Sequence, residues 1–266
     1  MSEPKRVQQA QLVHEGRATG ALKFDIEKAK RVAQAMIADG DRVTDRNRLL
    51  GHIREFGLAR NPWLGLSHYQ DWNNASVLGL QQIPTEFADF LLYCVRYRPA
   101  SMAEIGVFTG GSCLIAASFF KALNADFRYV GIDLEAGVLL PDDVLELLGV
   151  ELRIPATSED LIGETFDIVF IDGDHSYHWA KNDFIGLGSH ARFVCGFHDI
   201  NSREYRQAGG GVFKYWRQLR QSLSRDVPMY EISHAPLNCG VEQDGDWMGI
   251  GVVDFGMVRQ TPPRVA

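Results

Sequence analysis

The sequence predicts a doubly wound α/β protein, with a mostly parallel seven-stranded sheet, a terminal antiparallel hairpin and an added N-terminal helical segment. Three observations predict it. From Met102 onward, short apolar runs alternate with amphipathic stretches. The last two runs follow one another with no helix between them. Every readable segment before Pro99 has helical period.

The first helical stripe is Phe24, Ile26, Ala29, Val32, Ala33, Met36 and Ile37, stopped by Gly40. Leu49, Leu50, Ile53 and Phe56 form a shorter stripe closed by Gly57. Pro84 opens a third, with Phe87, Phe90, Leu91, Cys94 and Val95 on one face, and Pro99 blocks its continuation. Strands are then expected at Met102–Phe108, Arg128–Asp133, Glu151–Ile154, Asp167–Asp172, Arg192–Phe197, Met229–Ile232 and Met248–Phe255. Helices are expected between them at Ser112–Leu123, Asp142–Leu148, Trp179–Leu187 and Val212–Leu223.

The totals exclude several classes. A formal net charge of −7 opposes non-specific nucleic-acid binding, which needs a basic surface. MSEPKRVQQAQ lacks the apolar stretch of a signal peptide, and no run is long enough to cross a bilayer. Cys94, Cys113, Cys195 and Cys239 are scattered without a C-x-x-C pair, so neither a disulfide framework nor a zinc site is expected. A cytoplasmic location is the default.

Two turns then bear on ligands. In "MAEIGVFTGGS", Gly106, Gly110 and Gly111 allow close backbone approach, and Ser112 is placed to cap the following helix. Such a turn also occurs simply to join a strand to a helix. Asp133 ends the second strand, where an acid accepts hydrogen bonds from ribose hydroxyls or caps a helix. The dinucleotide fingerprint G-x-G-x-x-G is absent, because Val107 and Phe108 follow Gly106.

The fourth strand finishes in Asp172, Asp174 and His175, and the fifth in His198 and Asp199. Charge at two buried strand ends is costly without a partner. Asp174 reads best as a cap for the next helix, and His178 as an outward-facing residue on it. Imidazole, with an ordinary pKa of roughly 6.5, can accept a proton at neutral pH.

"EIGVFTGGS", "VGIDLE" and "FDIVFIDGDHSY" resemble the first, second and fourth-strand motifs of class I S-adenosylmethionine-dependent methyltransferases. The last resembles a subset of small-molecule O-methyltransferases, often metal-dependent. The resemblance runs from Gln82 to Phe255, taking in "QIPTEF", "GFHDI" and "MGIGVV". It implies a Rossmann-like cofactor domain over residues 81–266. Residues 1–80 fall outside the resemblance, and their apolar stripes, which need partners, are expected to cap the sheet and contribute to a dimer or larger assembly. It further implies that Glu104, Gly106, Gly110 and Ser112 line the methionine part of S-adenosylmethionine, and that Asp133 takes the ribose. Thr157 and Ser158 fall at the adenine, although relatives often carry an acid where Thr157 stands. Asp172 would lie beside the cofactor and, with His198 and Asp199, hold a divalent cation, Mg or Mn. Relatives have Asp-Asn, Asp-Asp or Glu-Asp where this chain has His198 and Asp199, which leaves the identity and use of the metal open. His175 stands where the subset commonly has a lysine base, so the resemblance makes His175 and Asp172 the catalytic pair.

The expected partners are a hydroxylated small molecule and further copies of the chain, with no membrane or nucleic acid. A nicotinamide oxidoreductase and a nucleoside-binding protein without catalysis are the alternatives. Three further stretches could border a pocket: the glycine-rich "INSREYRQAGGG", the "HAPLNCGVEQDGDW" loop, and "NPWLGLSHYQDWNN" with Trp63, His68, Tyr69 and Trp72. Each also reads as an ordinary connection or packing segment.

Overall fold

Each central strand of the sheet is apolar on both sides, and both sides are covered. The computed structural model describes residues 11, 13–15, 17–59, 78–135, 137–201, 210–223, 225–234 and 248–260. The three stretches named last above lie largely outside them. Helices α1 (Ala21–Asp39), α2 (Arg46–Phe56) and α3 (Pro84–Cys94) come first. Strand β1 (Ser101–Ile105), helix α4 (Gly111–Leu123), strand β2 (Arg128–Ile132), helix α5 (Asp142–Leu148) and strand β3 (Val150–Arg153) follow. Strand β4 (Ile168–Ile171), helix α6 (Tyr177–Gly186), strand β5 (Val194–Phe197) and helix α7 (Gly211–Leu223) complete the alternation. Strands β6 (Met229–Ile232) and β7 (Ile250–Asp254) and a short helix α8 (Phe255–Gln260) close it.

The strand order is β3-β2-β1-β4-β5-β7-β6. The first five strands are parallel, and β7 runs antiparallel to both β5 and β6. This is the Rossmann-like arrangement expected from the sequence, with its order reversing between β1 and β4. Ligands of open α/β sheets bind at the carboxyl edge of such a reversal.

Alternate residues of each strand feed two cores. Met102, Tyr129, Ile168, Phe170, Val194 and Val252 pack beneath α1 to α4. Ala103, Val130, Val169, Cys195, Phe197 and Val253 pack beneath α6 and α7, where Trp216 is almost wholly enclosed. The N-terminal stripes belong to the first of these cores. Ala29, Val32, Met36, Leu49, Ile53 and Phe56 share it with Phe87 and Phe119. The stripes were expected to cap the sheet and to contribute to self-association, and they pack against the chain's own sheet layer. Phe24 is the exception, being 63% exposed and off the buried face.

Where strand limits differ from expectation, turns explain it. Strand β1 stops at Ile105, because Gly106 and Phe108 take φ of 91° and 51°, which a strand cannot hold. The α4 cap is Gly110 at φ 97°, with Ser112 at the second helical position rather than at the cap. Asp174 does not cap α6. Ser176 does, accepting from the Trp179 N–H, while Asp174 accepts from the Ser176 N–H at 2.8 Å. His178 is exposed, as expected, with Asn182 beside it. Cys94, Cys113 and Cys195 are buried free thiols. Among the described residues no helix is long and apolar enough to cross a membrane.

Candidate active site

The parallel ladder places the ends of β1, β2, β4 and β5 side by side. The Asp172 N–H donates to the Ile105 carbonyl, the Gly106 N–H to Ile132, and the His198 N–H to Ile171. The turn after β1 therefore lies between Asp133 on one side and the acid clusters of β4 and β5 on the other.

Gly106 sets how closely these turns pack. A Cβ there would lie 2.3 Å from the Asp172 carbonyl oxygen and 2.5 Å from Gly173 Cα. Its glycine character is thus required by contact with the strand-four turn. Asp133 accepts from the Phe108 N–H at 2.8 Å and the Glu135 N–H at 3.2 Å, which ties the β2 end to the same turn. Glu104 is fully buried and accepts from the Tyr129 hydroxyl. Burial pushes its pKa up to about 8, against the opposing effects of the Ser112 and Tyr129 hydroxyls. Its second oxygen, Oε1, and the buried Thr109 Oγ1 have no hydrogen-bond partner among the described residues. Unmet polar atoms at a buried turn are what a ligand with matching polar groups would satisfy. Ser112 is buried in the first turn of α4.

After β3, Thr157 closes a capping box with Asp160. The neighbouring Ser158 hydroxyl donates to Asp183 of α6 at 2.8 Å, so it is engaged inside the protein. Burial raises the pKa of Asp183 to about 6.

The densest group of charges follows β4 and β5. His175 Nε2 lies 3.3 Å from Asp172 Oδ1 and 3.0 Å from Asp199 Oδ2. His198 Nδ1 lies 3.0 Å from Asp172 Oδ1 and 3.5 Å from Asp199 Oδ2. Burial alone would push both imidazole pKa values down. The two carboxylates overcome it, holding His175 at about 9 and His198 well above its ordinary value. Asp172 and Asp199 are held below the usual carboxylate range by the same imidazoles, against burial. Asp199 adopts φ 61°, a left-handed conformation that costs a non-glycine residue of the order of 1–3 kcal/mol. It is held there by Ile200 and Asn201, whose N–H groups donate to Gly249 and Met248.

His175 presents its Nε2 to both carboxylates and so groups with the other three side chains.

Two supporting residues went unread in the sequence. Gln82 donates through Nε2 to the second oxygen of Asp172. Glu86, fully buried, accepts from the N–H groups of His234 at 2.8 Å and Gly249 at 3.1 Å. Burial pushes its pKa up to about 7. The signal for Glu86 was present: it lies one helical turn before Phe90, on the buried face of α3.

Comparison with known proteins fits this layout. A family model described as a methyltransferase domain matches residues 103–200, from β1 to the turn after Asp199. The matched stretch spans the five parallel strands of the sheet and less than half of the chain. No curated protein matches the chain. An O-methyltransferase of Streptomyces achromogenes, TomG, involved in tomaymycin synthesis and solved with S-adenosylmethionine, is similar at 20% identity. The match covers 74% of this chain and 91% of that one, with a TM-score of 0.48. A Bacillus cereus O-methyltransferase solved with S-adenosylhomocysteine is 17% identical over 65% and 81%, with a TM-score of 0.46. The S-adenosylhomocysteine-bound Podospora anserina methyltransferase PaMTH1 is 12% identical over 73% and 88%, with a TM-score of 0.47. Likenesses this distant assign no chemistry to the present residues.

Proposed function

We propose that the chain moves a methyl group from S-adenosylmethionine to a hydroxyl oxygen of a small molecule, with a divalent cation held by Asp172, His198 and Asp199. The observation that carries this reading is the juxtaposition at one sheet edge. Asp133 stands on one side of the turn after β1, and the aspartate–histidine cluster stands on the other, in backbone contact with Gly106.

The cofactor is a sulfonium cation and supplies its own electrophilic methyl group. The chain has to bind it, align an oxygen with the methyl group and lower the cost of removing the hydroxyl proton. Glu104, Gly106, Gly110 and Ser112 border the methionine end in this proposal, with Asp133 at the ribose. The unmet Glu104 Oε1 and Thr109 Oγ1 are acceptors suited to an ammonium group. Thr157 stands at the adenine end. Ser158 contributes there through its backbone, since its hydroxyl is committed to Asp183.

Two carboxylates and an imidazole nitrogen suit a divalent cation. Bound there, it would supply the charge that lowers the pKa of a substrate hydroxyl. Asp172 and Asp199 provide the negative charge, and Gln82 fixes the free oxygen of Asp172. In this reading the hydroxyl proton leaves to water rather than to His175, whose Nε2 faces the two carboxylates. The enzyme works in this reading in the reducing cytoplasm, where Cys94, Cys113 and Cys195 remain thiols.

Calorimetry tests the proposal. S-adenosylmethionine and S-adenosylhomocysteine should each bind at one site per chain, and Asp133→Ala should weaken both. Absence of binding, or fluorescence titration showing NADH bound in their place, would refute it in favour of the nicotinamide alternative.

A further inference from the structure

We infer that Asp172, His175, His198 and Asp199 form a single two-histidine, two-carboxylate centre selective for a first-row transition dication, with His175 as a metal ligand. The inference rests on the cation proposed above and goes further in two ways. It adds a ligand from the strand-four turn, and it names the class of metal.

Geometry supports the fourth ligand. One donor atom from each of the four side chains lies within 4.8 Å of the other three. With bonds of about 2.1 Å, donors around one ion sit roughly 3 to 4.2 Å apart. The four nitrogen–oxygen separations are 3.0, 3.0, 3.3 and 3.5 Å. His175 is no outlier: its Nε2 is as close to Asp199 as His198 Nδ1 is to Asp172. Asp172 touches both imidazoles through the same oxygen, Oδ1, while Gln82 occupies Oδ2. A partner that fixes the outer oxygen of a carboxylate and turns the inner one to the centre is the usual support of a metal ligand. The left-handed backbone at Asp199 brings its side chain back to the same point.

Donor chemistry selects the metal. Mg2+ prefers oxygen throughout and retains several waters. Imidazole nitrogen suits iron, nickel, copper and zinc, and affinity of a mixed nitrogen–oxygen set for first-row dications rises from manganese toward copper. A set of two nitrogens and two carboxylate oxygens therefore disfavours Mg2+. Two carboxylates also neutralise a dication, so neutral imidazoles complete the centre without surplus charge. The same set holds together without metal, since two imidazolium groups balance the two acids.

The test is equilibrium binding of Mn2+ to the purified full chain, followed by electron paramagnetic resonance with Mg2+ in competition. One Mn2+ per chain should bind, at least about tenfold tighter than Mg2+. His175→Ala should weaken Mn2+ binding on the order of 10–100-fold or more, while S-adenosylhomocysteine affinity and circular dichroism stay unchanged. Equal affinity for Mn2+ and Mg2+, or a His175→Ala protein that binds Mn2+ as tightly as the parent, would overturn the inference. If His175→Ala does not fold, the visible spectrum of the unaltered protein loaded with Co2+ decides. Nitrogen-shifted, intensified bands support the centre, and a weak hexa-oxygen spectrum overturns it. The S-adenosylhomocysteine arm tests the methyltransferase reading separately. Its failure alongside an intact Mn2+ preference would remove that reading and leave the centre standing.

Discussion

Replacing Gly106 by alanine isolates the contact that joins the cofactor turn to the acid cluster. The new Cβ would lie 2.3 Å from the Asp172 carbonyl oxygen, whereas ordinary contact begins at 3.4 Å. Backbone on one side or the other must move by about 1 Å, and neither side is a flexible side chain. The residue also sits at φ 91°, which costs an alanine roughly 1–2 kcal/mol. Overpacking adds about 1–3 kcal/mol. Gly163 provides the control. Its φ is 93°, and nothing lies within 4 Å of a Cβ built there. Gly163→Ala therefore carries the conformational cost alone, and any effect on the unfolded chain is common to both variants. The Gly106 variant should be less stable than the Gly163 variant by about 1–3 kcal/mol, and its Tm lower by roughly 2–12 °C. Denaturant titration gives the first number and calorimetric scanning the second. Mn2+ affinity should fall in the Gly106 variant only, because Asp172 is the residue displaced. Equal stabilities with equal Mn2+ affinities would show that the two turns are not packed as described.

Other outcomes follow from buried groups. Asp183 has a folded pKa of about 6, above the ordinary 3.8, so the stability linked to its proton is complete below 3.8 and lost as pH rises through 6. Asp183→Asn, which still accepts from Ser158, should stabilise the protein at pH 8 by up to about 3 kcal/mol and lose that advantage near pH 4. A gain independent of pH would refute the assignment. Glu86→Leu leaves two backbone N–H groups without their acceptor and should cost about 1–3 kcal/mol or more, read by denaturant titration. A chain begun at Leu78 uncovers Phe87 and Phe119, so it should bind a hydrophobic dye and run as aggregate in gel filtration. A soluble, cooperatively folding fragment would show that the N-terminal helices are dispensable to the core.

The parts of the fold legible in the sequence were those set by local pattern. Asp142–Leu148 and Met229–Ile232 have the expected limits, because their ends coincide with Pro141, Gly149 and a polar flank. The hairpin was legible because two apolar runs lacked a helix between them. Strand β1 was overextended, since Val107 and Phe108 are as apolar as the strand they follow and only dihedral angles show that the chain has turned. Caps were misplaced by two residues for a similar reason: Asp174 and Ser176 are both good caps, and only packing chooses. In the site, the acids and histidines were visible as charge at the ends of apolar strands. The meeting of His175 with Asp199 was not, because sequence records the spacing of His175 from Asp172 but not its approach to an acid that arrives from another strand. Gln82 was hidden for the same reason, its partner following β4, whereas Glu86 showed as an acid on the buried face of α3 whose partners, one of them at the edge of β7, the sequence does not name.

In the proposed enzyme, cofactor and cation share one carboxyl edge of the sheet. Nuclear magnetic resonance of S-adenosylmethionine labelled with 13C at its methyl group tests this with Mn2+ bound and with Zn2+ as the diamagnetic control. The account expects strong broadening of the methyl signal with Mn2+, absent with Zn2+ and lost in Asp172→Ala. A methyl signal from bound cofactor that is equally sharp with either metal would contradict it.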